Sequence, residues 1–136
     1  MSAEDTRATM TAYLDALNGE GDFRAFLTDD VVFTAVGTDQ EFKGADAVQT
    51  IDYFHTVAFE VSTEVRRLVV TEDQAAAELV FHANHIGDFA GIPATGKSVS
   101  IPFSVFYDLA GGKVASIRVY QLLGALLSEL GPVSPA

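Results

Sequence analysis

The sequence contains no cysteine, and this absence removes a set of chemistries. Without a thiol the chain forms no disulfide, no thiolate metal site and no cysteine nucleophile, and the redox state of its compartment stays open. Long apolar runs are absent too: no stretch approaches the roughly 18 residues of a membrane span. The N-terminus, MSAEDTRATM, lacks the basic and apolar regions of a signal peptide. We therefore expect a cytoplasmic protein.

Basic residues are scarce. The chain has 8 lysines and arginines against 19 aspartates and glutamates, and its formal net charge is -11. A field of this sign repels phosphate backbones and anionic lipid. We therefore expect neither nucleic acid nor a membrane surface as a partner.

Apolar and aromatic residues are plentiful. Hydrophobic residues make up 49% of the 136 residues, and there are 10 phenylalanines and 4 tyrosines, which is too apolar for a disordered chain. This length suits one domain with one core. We expect a single domain over residues 1–136 with a roomy interior lined by aromatic side chains.

The segment GIPATGKS, residues 91–98, matches the phosphate-binding pattern G-x-x-x-x-G-K-[ST]. That pattern binds phosphate only where a helix follows it. After Ser98 the residues alternate between apolar and polar, which predicts a strand, and Pro102 would disrupt a helix there. We interpret the segment as a hairpin loop and not as a nucleotide site.

Periodicity divides the chain into a mainly helical part followed by a run of strands. Helices are predicted over 4–18, 45–59 and 124–130, with a short helix capped by Asp22 over 23–27. Strands are predicted over 31–36, 60–70, 75–87, 97–109 and 114–123, with a short paired strand inside 37–44. This order indicates an α+β fold, in which a curved and mostly antiparallel sheet wraps around helices on one face.

Alternation on two strands separates an inner face from an outer one. In 77–85 the apolar set ends at His85, while His82 lies on the opposite face. In 115–123 the apolar set includes Val119 and would place Gln121 inward. The two histidines therefore cannot share one metal ion, and we expect no metal site. No G-x-S-x-G nucleophile motif is present either.

Few polar groups are predicted to point inward, and they are the candidates for chemistry. Tyr13 lies on the first helix, His85 and Gln121 on strands, and His55 and Ser104 are further candidates. His85 is the candidate for proton transfer because the intrinsic pKa of histidine is near neutral. A structural interpretation stays open for each: an inward histidine or tyrosine can belong to the core, and Gln121 can bond backbone at a strand end.

The segment FHANHIGDFAGIPATGKSVSIPFSVFYDLAGGKVASIRVYQLLGALLSELG, residues 81–131, resembles the SnoaL-like polyketide cyclase family of the nuclear transport factor 2-like superfamily. The resemblance is carried by GIPATGK, GGKV, the closing LLSELG, and His85, Gly87, Phe89, Arg118 and Tyr120. The opening MTAYLDALNGEGD, residues 10–22, is similar to the first helix of ketosteroid isomerases, whose active-site tyrosine falls on Tyr13.

The resemblance implies a conical α+β barrel around a deep apolar pocket, usually in a homodimer, which we expect to form through the outer sheet face. It implies ring closure, isomerisation, dehydration or epoxide opening on polyketide-like substrates in natural-product biosynthesis, without metal or cofactor. Pocket acids and bases move the protons. Further substrate-binding residues are predicted at His55, Ser104, Phe81, Phe54, Val119, Ala35 and Leu122.

The chain departs from its relatives at the catalytic carboxylates. The aspartate of the cyclases aligns with Leu122, the general base of ketosteroid isomerase with Ala35, and its oxyanion acid with Ser104. The first hypothesis is a cofactor-independent cyclase or isomerase of a hydrophobic polyketide-type intermediate, with His85 as base and Tyr13 and Gln121 as hydrogen-bond donors. The alternatives are a non-catalytic binding or accessory protein, or an epoxide-opening cyclase that uses Asp39 or Glu64.

Overall fold

Three α-helices and six β-strands make up residues 2–131, which are the residues that this computed structural model describes. The helices are α1 (Ala3–Leu17), α2 (Ala45–Tyr53) and α3 (Leu122–Leu130). The strands are β1 (Leu27–Ala35), β2 (Glu41–Lys43), β3 (Phe59–Val70), β4 (Gln74–His85), β5 (Ser98–Ala110) and β6 (Lys113–Tyr120). A 3-10 turn, Phe23–Phe26, precedes β1, and a π-helical turn, Phe54–Ala58, joins α2 to β3.

The strands form one open sheet in the order β2-β1-β6-β5-β4-β3. All neighbouring strands are antiparallel except β1 and β6, which run parallel. The helices contact the sheet through a shared core of buried apolar residues. The predicted α+β architecture with a mostly antiparallel sheet is therefore confirmed, with β2 and β3 as the two free edges.

Burial on β4 and β5 follows the predicted alternation. On β4 the residues Ala77, Leu79, Phe81, Ala83 and His85 are buried; in the opposite set Glu78 and Asn84 are exposed and His82 is partly exposed, but Val80 is buried as well. On β5 every odd-numbered residue from Val99 to Leu109 is buried, and the residues between them are exposed or partly exposed. A period of two puts one set of side chains on the helix-covered face, and the other set forms the outer face.

The GIPATGKS segment lies in the β4–β5 connection and leads into a strand. Phe89 and Ile92 exchange two backbone hydrogen bonds, and β5 begins at Ser98. Lys97 Nζ donates to the carbonyl of Leu130, 3.4 Å away, at the end of α3. Because no helix follows the segment, the expected hairpin loop is confirmed and the phosphate-binding interpretation is excluded.

Several predicted element ends differ from those of the structure, and two of the differences affect the candidate site. The last strand was expected to run through 123, but β6 ends at Tyr120 because Gln121 has a left-handed backbone with φ 71°, which cannot continue a strand. The helix expected over 45–59 is regular only to Tyr53. Beyond it the turn widens into the π-helix, and the carbonyl of Ala58 accepts hydrogen bonds from the amides of Ile86 and Gly87.

α1 is tied to the free edge of β3 by side chains. Asn18 Nδ2 donates to the carbonyl of Thr63 at 2.9 Å, and the Thr63 amide donates to Asn18 Oδ1 at 2.8 Å. Near the other end of α1, Thr6 Oγ1 donates to the carbonyl of Glu72 at 3.0 Å. The Asn18 bonds satisfy edge groups of β3 that have no strand partner on that side, and the Thr6 bond attaches α1 to the turn between β3 and β4.

Among the described residues, no helix combines the length and the apolar character that crossing a bilayer requires.

Replacing Asn18 by alanine should lower the free energy of unfolding by about 1–3 kcal/mol, since two hydrogen bonds are lost and the Thr63 groups are left unpaired. Urea unfolding followed by circular dichroism measures the change. The control is Asn84→Ala on the outer face, where the side chain bonds Glu60 and Ser98 in an exposed setting. That variant should stay within about 0.5 kcal/mol of the parent. Equal losses in the two variants would contradict the role of Asn18.

Candidate active site

An inner chamber of about 70 Å³ lies between the helices and the sheet. Its wall is mostly aromatic and aliphatic, and polar groups are few. The polar lining residues are Tyr13, Thr50, His55, Thr63 and Tyr107. The predicted residues Phe54, Phe81, Val119 and Leu122 line the chamber as well.

A larger space of about 530 Å³, which we call the vestibule, adjoins the chamber. Its lining includes Ala35, Phe42 and Gln121. Five residues line both spaces and mark the boundary between them: Phe33, Thr50, Phe54, Val119 and Leu122. The vestibule has the size of ordinary ligand pockets, which span about 300–1,000 Å³.

His55 reaches the chamber from the π-helical turn. Its Nδ1 lies 2.8 Å from the carbonyl oxygen of Ile51, which can only accept, so Nδ1 carries the proton. Burial is the main influence on the His55 pKa and lowers it, partly offset by the Ile51 bond and the nearby Asp52. At neutral pH the ring is therefore uncharged, and Nε2 keeps a free lone pair.

Tyr13 and Tyr107 are the two phenols that line the chamber. Their rings meet edge to face, with centroids 6.2 Å apart. Neither hydroxyl hydrogen-bonds another group within residues 2–131, and both side chains are buried. Burial raises the pKa of each phenol well above its usual value, and the proximity of Tyr13 adds to the effect on Tyr107. Both therefore remain neutral donors that a ligand oxygen can occupy.

No charged side chain lines either space. The residues around the chamber and the vestibule include no aspartate, glutamate, lysine or arginine. In the part of the chain that the structure covers, no group of three or more histidines and carboxylates is arranged to hold a metal ion. The arrangement therefore supplies a neutral imidazole base, phenolic donors and an apolar wall.

His85 does not line the chamber, although it is fully buried as predicted. Its Nδ1 accepts from the Thr95 amide at 3.2 Å and lies 2.9 Å from Thr95 Oγ1. Its ring packs 5.3 Å from that of Phe59. Nε2 has no partner in residues 2–131. The contacts of His85 therefore hold the β4–β5 connection, and the expectation that it projects into the hollow is wrong.

The inward placements of Gln121 and Ser104 are also wrong. Gln121 is exposed at the start of α3 and reaches only the vestibule, because its left-handed backbone takes it off the strand. Ser104 lies on the outer face of β5, opposite Glu78 on one side and Tyr120 on the other. Its predicted contact with substrate has no support in this geometry.

The carboxylates considered for epoxide opening lie outside both spaces. Asp39 is exposed in the turn between β1 and β2. Glu64 is exposed on β3, where its Oε1 lies 2.9 Å from His82 Nε2 on the outer face. An epoxide in the chamber meets neither of them.

Sequence analysis missed the second phenol and both threonines of the chamber. Tyr107 falls on the inward set of β5, so the alternation that predicted this strand also contains the information needed to find it. Thr63 falls on the same face of β3 as Phe59 and Val61, so alternation there also indicates an inward side chain, whereas no local pattern predicts the contact of its backbone with Asn18.

Comparison with known proteins assigns the family. The family model of the SnoaL-like polyketide cyclases matches residues 7–128. The chain belongs to this family. A search of curated protein sequences gives no significant match.

Solved structures show the same nuclear transport factor 2-like fold. A proposed SnoaL-like polyketide cyclase from Jannaschia sp. CCS1 has a TM-score of 0.84 at 18% identity, over 98% of this chain and 95% of that one. AclR from Streptomyces galilaeus, a proposed hydroxylase, has a TM-score of 0.80 at 26% identity, over 96% and 98%. A proposed ketosteroid isomerase from Kribbella flavida has a TM-score of 0.68 at 22% identity, over 87% and 78%.

The tautomer and charge of His55 can be measured directly. Nitrogen NMR of protein labelled at the histidine rings should show His55 protonated at Nδ1 and unprotonated at Nε2 at pH 7. Its titration midpoint should lie below about 6.5 because burial disfavours the cation. The signals are assigned by their loss in His55→Gln. A folded-state pKa below the unfolded value also means that stability falls as pH drops through about 6.5, and this fall should be smaller in His55→Gln. A midpoint above 6.5 would contradict the assignment.

Proposed function

We propose that the protein is a cofactor-independent cyclase or isomerase that removes a proton next to a carbonyl group of a hydrophobic polyketide-type intermediate. The observation that carries the proposal is the pairing of a neutral histidine and two unpaired phenols around one apolar chamber. Family membership supports chemistry of the cyclase and isomerase kind. The chamber residues assign the roles within it.

His55 is the general base in this proposal, in place of His85. Its Nε2 takes a proton from the carbon beside the carbonyl, and the electron pair of the broken C–H bond moves to the carbonyl oxygen, giving an enolate. The Ile51 carbonyl stabilises the resulting imidazolium through Nδ1–H. The His55 cation then returns the proton to another carbon, which completes an isomerisation.

Ring closure follows from the same enolate. Its carbon attacks a second carbonyl of the substrate, a C–C bond forms, and the new alkoxide takes the proton from the His55 imidazolium. Phenylalanine and aliphatic side chains that line both spaces hold the enolate in the chamber beside a second carbonyl at the boundary with the vestibule. The base therefore ends the cycle as it began, and no other reactant is consumed.

Tyr13 and Tyr107 stabilise the enolate oxygen. Their hydroxyls have no competing partner among the described residues, and their raised pKa keeps the proton on each phenol. Donors held at the place where negative charge develops are worth several kcal/mol in a site without water. In this proposal the two phenols perform the role of the oxyanion-stabilising acid of ketosteroid isomerases, which this chain lacks.

A non-catalytic binding protein is the second candidate. The observation that favours it is Leu122, which lines the chamber at the position of the family aspartate, so that no carboxylate reaches either space. A protein of this kind would bind the same apolar ligands and move no proton.

Deuterium uptake by 2-acetylnaphthalene in D2O separates the two candidates. The enzyme should accelerate exchange of the methyl protons, followed by proton NMR, and His55→Gln should reduce the acceleration by about 10²–10⁴-fold. Tyr13→Phe and Tyr107→Phe should each reduce it by about 10²–10³-fold.

The matched controls lie outside the site. His82→Gln changes an exposed outer-face histidine, and Tyr53→Phe removes a hydroxyl that bonds the Asp88 carbonyl. Both should exchange at the parent rate. Binding without any accelerated exchange would favour the second candidate. Exchange at the parent rate in His55→Gln would contradict the assignment of His55 as the base.

A further inference from the structure

The two adjoining spaces differ greatly in size. The inner chamber holds about 70 Å³ and the vestibule about 530 Å³. A cavity that accommodates benzene in a protein core measures about 150 Å³, and one water accounts for about 30 Å³ of liquid. The chamber is therefore too small for an aromatic ring and suits a group of a few non-hydrogen atoms, whereas the vestibule has room for fused rings.

The boundary between the spaces is built from bulky, well-held side chains. Phe33 comes from β1, Phe54 from the π-helical turn, Val119 from β6 and Leu122 from the first turn of α3. Phe54 packs against Phe59, Phe81 and Phe89 at ring-centroid distances between 5.2 and 5.7 Å, so its ring is fixed by neighbours on several sides. We call this shared boundary the neck, and a ligand that occupies both spaces must pass between these side chains.

Polar groups line both spaces, and none of them is charged: the buried phenols and His55 lie in the chamber, whereas Thr38, Gln40, Tyr120 and Gln121 line the vestibule. An oxygen that enters the chamber meets phenolic donors, and an ionised group there would lose its hydration without gaining a counter-ion, which costs several kcal/mol. The group that enters is therefore a neutral hydrogen-bond acceptor.

We infer that the site selects neutral ring-bearing ketones whose short acyl arm enters the inner chamber while the ring system stays in the vestibule. Leu122 and Val119 set the width of the neck and so limit the size of the arm. This inference rests on the proposed function for the chemistry of the arm, but it concerns binding alone. Leu122 then has a positive role: an apolar side chain at the family's acid position makes the neck narrow and uncharged.

Isothermal titration calorimetry with four naphthalenes of different arms tests the inference. 2-Acetylnaphthalene should bind best, and 2-ethylnaphthalene, which lacks the oxygen, should bind about 10-fold more weakly. 2-Benzoylnaphthalene, whose arm is a ring, and the 2-naphthoate anion should each bind at least 10-fold more weakly than the acetyl compound. Equal affinity for the acetyl and benzoyl compounds, or tighter binding of naphthoate, would overturn it.

Widening the neck should relax the selection. Leu122→Ala should bring the benzoyl compound within about threefold of the acetyl compound, and Val119→Ala provides a second test at another position of the neck. Leu127→Ala is the matched control, since it makes the same change on α3 outside both linings and should keep the parent ranking. Thermal unfolding confirms that each variant is folded before it is titrated. A parent ranking kept in both folded neck variants would also overturn the inference.

The outcomes separate this inference from the proposed function. The predicted ranking of arms without accelerated deuterium exchange would support the two-part site in a protein that binds and does not catalyse. Deuterium exchange that depends on His55, together with equal binding of all arms, would support the proposed chemistry and contradict selection by the neck.

Discussion

The attachment of α1 to the free edge of β3 is the contact on which the candidate site depends. β3 is the last strand of an open sheet, and the amide and carbonyl of Thr63 find their partners in one side chain, Asn18. An amide side chain offers a donor and an acceptor together, so it can pair with an edge residue as a neighbouring strand would. Because Asn18 follows directly after α1, this contact also sets where Tyr13 enters the interior. The hydrogen bonds that satisfy the exposed edge of β3 therefore also position the part of the chamber wall that α1 supplies.

His85 shows how much a sequence pattern can predict about a candidate site residue. Alternation on β4 correctly assigns His85 to the inner face, because side-chain direction follows from strand geometry alone. The same pattern carries no information on position along the strand. His85 is the final residue of β4, where the connection to β5 folds over it and Thr95 forms a hydrogen bond with its Nδ1. Phe81, four residues earlier on the same face, lines the chamber. The local sequence determines on which face of a strand a side chain lies, whereas tertiary contacts determine whether that side chain reaches a cavity.

The fold class and the hairpin interpretation of GIPATGKS were predictable, since both follow from periodicities over ten or more residues. The π-helical turn was not, because contacts from residues distant in sequence hold it, and nothing in the alternation of the last strand indicates the left-handed backbone of Gln121. Gly87 lies so close to the turn that a Cβ there would come within 2.2 Å of the Val57 carbonyl oxygen, and only glycine permits that approach. The Ala58 carbonyl is turned toward the Ile86 and Gly87 amides, out of the helical ladder. His55 sits in this turn, so the base that we propose owes its position to a glycine 32 residues further along the chain.

Burial favours the uncharged form of the two phenols and of the His55 imidazole alike. It raises the pKa of the phenols and lowers that of the His55 imidazole, so the resting chamber contains no charge. In the proposed reaction, charge would arise only when a proton leaves the substrate, and it would arise as a pair: an imidazolium beside an enolate. In apolar surroundings the attraction within this pair and the phenolic hydrogen bonds would be strongest when the charges form, and they would be absent from the ground state. A permanent carboxylate would be a stronger base in such surroundings, but it would have to be desolvated before any substrate arrived. An uncharged base would avoid that cost, so the proton transfer that we propose is compatible with an apolar Leu122 in the same chamber.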